Sequence, residues 1–181
     1  MDYVRRVIGL IFLGICPLAL TQETAPIRWE PDSRLAWSDF RAEPPQSRRV
    51  AATTASGISY NYKALGSQGG YSLDFEVSTF FYPDKSWYHP ELCDQVVLSH
   101  EQLHFDISEL FARKFRGRLR GGIFTENVKA EVRRIFTEVN RELSDFQNRY
   151  DAETDYSRNR AAQQQWNEAV AALLAEPEHP E

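Results

Sequence analysis

The stretch His100-Glu101-Gln102-Leu103-His104 constrains this chain more than any other, because it sets two imidazoles four residues apart with a carboxylate beside the first. On an α-helix, four residues advance about 6 Å and slightly more than one turn, so both histidines share a face. Their nitrogens then reach one ion at roughly 2.0–2.1 Å, the distance zinc requires. Glu101 follows the first ligand, placed to take a proton from a water on the metal's open position. Histidine pairs at this spacing also occur as ordinary core residues, and the flanking pattern favours the metal reading by placing the motif on a helix. Leu92, Val96, Val97, Leu103, Ile107 and Phe111 recur at three- and four-residue steps, which predicts an amphipathic helix through the motif. Pro90 is expected at its first position, and Gly117 is expected to end it after Arg113, Lys114 and Arg116.

A chain of 181 residues with 42% hydrophobic and 13% aromatic content fills one ordinary core, so a single domain is expected over residues 26–175. The formal charge of −5 argues against a nucleic-acid surface. Arg5 and Arg6 precede an apolar run over residues 7–20, after which the chain turns polar. That order reads as a secretory signal peptide over residues 1–21, and so as a secreted or periplasmic protein. The run falls short of the about twenty residues of a membrane-spanning helix, so no transmembrane helix is expected in the mature chain. Once Cys16 leaves with the signal, Cys93 has no intrachain partner and is expected to pack as a small apolar residue.

Between these landmarks the pattern alternates first and turns helical later. Trp37 and Phe40 are expected to pin an entry segment onto the core. Ile58, Tyr60 and Tyr62 alternate with polar residues, and so do Tyr71, Leu73, Phe75, Val77 and Phe81, with a glycine-rich turn between and Pro83 closing the second run. That is an antiparallel hairpin with one buried face. Thr125 is expected to cap a second helix whose stripe runs from Val128 through Val132, Val139, Leu143 and Phe146 to Tyr150. A third helix is expected from about Ser157, with Ala162, Trp166, Ala169, Val170 and Leu173 inward, and residues 176–181 form a polar, frayed tail carrying His179. The fold class is α+β: an N-terminal antiparallel sheet packed on a helical, zincin-like core.

Catalytic zinc usually has three protein ligands, and the motif supplies two. His89, Asp106, Glu109, Asp151, Glu153 and Asp155 are the candidates for the third, and spacing alone does not choose among them. The segments Leu35-Ala36-Trp37-Ser38-Asp39-Phe40, His100 through Ile107 and Tyr150-Asp151-Ala152-Glu153-Thr154 resemble a bacterial domain-of-unknown-function family, number nine-two-two, whose members look like secreted zinc-dependent proteases. The likeness extends to Gln165-Trp166-Asn167. In that family the Tyr-Asp-x-Glu-Thr element usually continues with x-His, a plausible ligand, which would fall at position 156, or at 155 with a spacing one shorter, where this chain has Tyr156 and Asp155. Asp155 beside it is the expected replacement, since aspartate also ligates zinc, with Glu153 second. Tyr150 or Tyr156 would then donate a hydrogen bond to a tetrahedral oxyanion.

The expected function is a zinc-dependent peptidase acting on peptide or protein substrates, with His100, His104 and Asp155 on the metal and Glu101 as general base. The alternative is a non-catalytic zincin-like envelope module whose metal is structural or lost. A purely helical interaction protein would make the motif accidental and ranks last.

Overall fold

The computed structural model describes residues 23–67 and 70–178. The expected signal peptide and His179 lie outside the described residues. Two long strands, β3 (Ser56–Ser67) and β4 (Gly70–Phe81), pair antiparallel from Ser56↔Phe81 to Ser67↔Gly70. Gly70 has φ +125°, a backbone setting that side chains rarely tolerate, so the chain reverses where glycine permits it. The short β1 (Ile27–Arg28) pairs with the far edge of β4, giving the order β1-β4-β3. β2 (Ala52–Thr53) and β5 (Trp87–Tyr88) form a separate two-stranded ribbon.

The period-two pattern places Ile58, Val77, Thr79 and Phe81 against the core while Asn61, Asp74 and Glu76 face solvent or stay exposed. The inward face meets α1 (Gln95–Arg120), which packs on the sheet, on α2 (Val128–Thr154) and on α3 (Arg160–Ala175). Phe115 is fully buried, with ring centroids 5.2 Å from Tyr60 and 5.5 Å from Phe136, so sheet and helices share one aromatic centre. A second cluster gathers Leu35, Phe40, Phe81 and Phe105 under the entry segment, with Trp37 stacked on Tyr88 at 4.5 Å. The fold is therefore α+β, with a helix-rich layer behind an antiparallel sheet.

Helix boundaries differ from the expected ones for local reasons. Pro90 opens only a single 3-10 turn (Pro90–Leu92), and α1 begins where the Asp94 carboxylate accepts from the Val96 and Val97 amides. Gly117 does not stop the helix, because Leu119, only 2% exposed, is still a core residue and holds the last turn in place up to Gly121. Asn127 occupies the cap position of α2; Thr125 stands just outside, bonded to Glu131 through both its amide and its hydroxyl. α3 starts at Arg160 rather than Ser157, with the Asn159 side chain capping Ala162. Its inward row is Gln163, Trp166, Val170 and Leu174, whereas Ala169 and Leu173 face out.

The beginning of the tail is tied down. Glu178 accepts from Arg116 Nε at 2.8 Å and from Arg120 at 3.0 Å, while Arg113 donates to the carbonyls of Leu174 and Glu176. These arginines stand at three- and four-residue steps on α1 and so present one basic edge to the end of α3.

Candidate metal centre

The middle of α1 is where the helical layer closes. His100 and His104 lie one turn apart, and the C-terminal part of α2 brings Asp151 to them. His100 Nε2 is 3.2 Å from His104 Nε2, and Asp151 Oδ1 is 3.1 Å from the first and 3.0 Å from the second. Tetrahedral zinc with ligands at 2.0–2.1 Å sets its donor atoms about 3.3–3.4 Å apart, so this triangle is close to what the ion demands. The donor set, two imidazoles and a carboxylate, suits zinc as well.

Proton counting on His100 sharpens that fit. Its Nδ1 lies 2.9 Å from Gln163 Oε1; with the Gln163 amide in that orientation, Nδ1 carries a proton and Nε2 is the nitrogen turned toward Asp151. Nε2 lies 3.1 Å from Asp151 Oδ1, a spacing that requires a proton or a cation between the two atoms. Burial would raise the Asp151 carboxyl, yet the hydrogen bonds from His100 and His104 outweigh it and hold the group well below the usual carboxylate range. Burial would likewise lower His104, but the hydrogen bond to Asp151 and the negative charge of Glu101 raise it instead.

Glu101 is 5% exposed, and its Oε2 is buried with no hydrogen-bond partner among the described residues. A buried carboxylate oxygen left unpaired is costly, so packing alone does not account for it. The group fits a site in which a metal-held water would be its partner. The backbone around it is fixed, since Thr54 Oγ1 donates to the Glu101 carbonyl at 3.1 Å. The centre opens on one side: the side chains of His104 and Asp151 are 14% and 24% exposed, that of His100 only 5%.

The structure brings together three of the four expected residues. Asp155 is not among them. α2 ends at Thr154, whose buried hydroxyl donates to the Tyr150 carbonyl at 2.8 Å, and Asp155, Tyr156 and Ser157 follow with φ of 46°, 52° and 72°. That left-handed turn carries Asp155 off the helix face it would otherwise share with Asp151. Its side chain is 64% exposed and pairs with Arg158. Glu153 accepts from Trp166 Nε1 at 2.9 Å and also stays outside. Asp151 is the carboxylate that stands beside the two histidines, where Asp155 was expected. The sequence signal for it was the pair Gln147 and Asp151, polar residues four apart bordering the buried stripe, with Gln147 Nε2 donating to the His104 carbonyl.

The other candidates have partners elsewhere. Asp106 accepts from Trp29 and Gln102, Glu109 accepts from Thr79 and Arg116, and His89 Nε2 lies 3.2 Å from the Ser47 carbonyl. Cys93 bonds the Ala51 carbonyl, and burial pushes its thiol up to about 11, which keeps it protonated and a poor ligand. Tyr150 is fully buried, its hydroxyl engaged by the His100 carbonyl and Gln163, while Tyr156 is 60% exposed.

All four residues of this centre lie within residues 31–159, the span matched by the model of the family described as bacterial protein of unknown function (DUF922), which is well over half of the chain. The chain belongs to the DUF922 family. No curated protein and no solved structure matches it. In this DUF922 chain the matched span ends at Asn159, just before α3, and α3 supplies Gln163.

Proposed function

We propose that this DUF922 protein is a zincin-type zinc peptidase, with His100 Nε2, His104 Nε2 and Asp151 Oδ1 as its metal ligands. The observation that carries this reading is Glu101: a site that merely held a structural ion would not need a buried, unpaired carboxylate next to its first histidine. Zinc, when bound, lowers the pKa of its water and polarises a carbonyl. Glu101 takes the proton of the attacking water on its free oxygen and delivers it to the departing amine nitrogen. Asp151 adds a negative charge that a third histidine would not, which tempers the acidity of the bound water.

An extended peptide suits the surroundings. β3 is the edge strand of its sheet, and Ser56 at its start is bonded to Ser108 on α1 at 2.8 Å, one turn beyond His104. A substrate strand pairing with that edge would run along the metal helix.

The test is proteolysis of casein and peptide libraries by the zinc-loaded protein and by Glu101→Gln. The variant is expected to keep its metal and lose about 10²–10⁴-fold in rate. Equal cleavage by both would sink the assignment, and a zinc-binding wild type inert on every library would make the protein a binding module.

The N-terminal pattern of Arg5 and Arg6 followed by an apolar run supports export to the periplasm or medium. Among the described residues no helix is long and apolar enough to cross a membrane. Intact mass of the native protein should show a start near residues 20–26; cytoplasmic protein retaining Met1 would refute export.

A further inference from the structure

Gln163 is 3% exposed on a helix that supplies none of the three ligands, yet it touches the centre. Its Oε1 is 2.9 Å from His100 Nδ1. Its Nε2 is 2.7 Å from the Tyr150 hydroxyl and 2.9 Å from Asn167 Oδ1, and Asn167 Nδ2 in turn donates to Ser99 Oγ at 2.8 Å. Both amide hydrogens are thereby committed to Tyr150 and Asn167. The Tyr150 hydroxyl, receiving one of them, donates its own hydrogen to the His100 carbonyl at 3.2 Å or to Gln163 Oε1 at 3.0 Å.

We infer that Gln163 is the positioning residue of the metal centre, holding His100 in the Nδ1–H tautomer and at the ring angle that presents Nε2 to zinc. The inference rests on the metal reading above and adds to it a residue on α3. A histidine donates one nitrogen to a metal only if its proton is on the other, and the partner of that proton fixes both tautomer and orientation. Gln163 does this from one side of the ring. Tyr150 does it from a face: its ring stacks on His100 at 4.5 Å with an interplanar angle of 23°. The two supports also hold each other, so the ring has little freedom to turn. Reversing the whole amide chain, with Gln163 and Asn167 both flipped, would put Nε2–H on His100 and abolish its lone pair. The order of donors is therefore itself a prediction of the metal reading.

The effect of Gln163 is read as zinc affinity by chelator competition on the full chain, with circular dichroism as the check on folding. Gln163→Leu removes the acceptor and is expected to weaken binding ten- to hundredfold. Gln163→Glu keeps an acceptor at the same reach and is expected to bind within about threefold of wild type. A measurement needing no variant stands beside these: the ¹⁵N imidazole spectrum of zinc-loaded wild type should show His100 protonated at Nδ1 and metal-bound at Nε2. A folded Gln163→Leu that binds zinc like wild type, a Gln163→Glu as weak as the leucine variant, or coordination through Nδ1 would each overturn the inference. If wild type binds no zinc, or binds it unchanged after His100→Ala, the metal reading itself has failed.

Discussion

Asp151 and Asp155 are one helical turn apart in sequence and have opposite fates. Asp151 sits on the face of α2 that meets the two histidines; Asp155 stands past the helix end in a left-handed residue, paired with Arg158 in solvent. Removing a ligand of a three-residue site should cost far more than removing an exposed ion pair, which is worth about 0–1 kcal/mol to stability and nothing to metal affinity. Asp151→Ala is therefore expected to weaken zinc binding at least tenfold, about 1.4 kcal/mol, and Asp155→Ala to leave it unchanged. Chelator competition on the two variants checks this. Loss of zinc from Asp155→Ala alone would return the third ligand to the turn.

At the level of elements, the end of α3 is fastened to α1 by Glu178 in a cleft of arginines. Burial would raise the Glu178 carboxyl, but the hydrogen bonds and charges of Arg116 and Arg120 outweigh it and lower its pKa. A lowered carboxyl contributes stability that is present above its unfolded pKa, about 4.3, and is lost as pH falls through the folded value. Glu178→Gln should thus unfold earlier than wild type at pH 7 by roughly 0.5–1 kcal/mol. The difference should shrink below about pH 4, and thermal melts across pH 3–8 read both. A difference that persisted undiminished at pH 3 would mean that the glutamate acts through packing rather than charge. The clasp stands three residues beyond α3, the helix whose Gln163 reaches His100.

On the scale of the molecule, Phe115 joins the sheet to α1 and α2 through Tyr60 and Phe136, and its truncation leaves a hole shared by all three. Phe115→Ala is expected to cost about 3–5 kcal/mol in denaturant unfolding. A loss under 1 kcal/mol would mean that the three layers do not share this core. Much of that core was legible beforehand, because the period-two runs of β3 and β4 and the stripe from Val128 to Tyr150 are local patterns, each stating which face is buried. His100, Glu101 and His104 were legible for the same reason, since helical geometry over four residues fixes their relation. What lay beyond the sequence was whatever depends on how one helix meets another. The choice of Asp151 over Asp155 turned on where α2 ends, and that end is set by a buried Thr154 hydroxyl and three left-handed residues. Gln163 gives no inward signal in the sequence, where apolar Ala169 and Leu173 do, because a polar side chain on an inward row has a purpose only once its partners are in place. Sequence determined the local chemistry of one turn of helix; tertiary packing decided which carboxylate and which amide complete it, because those partners are 51 and 63 residues away from His100 and reach it only through the fold.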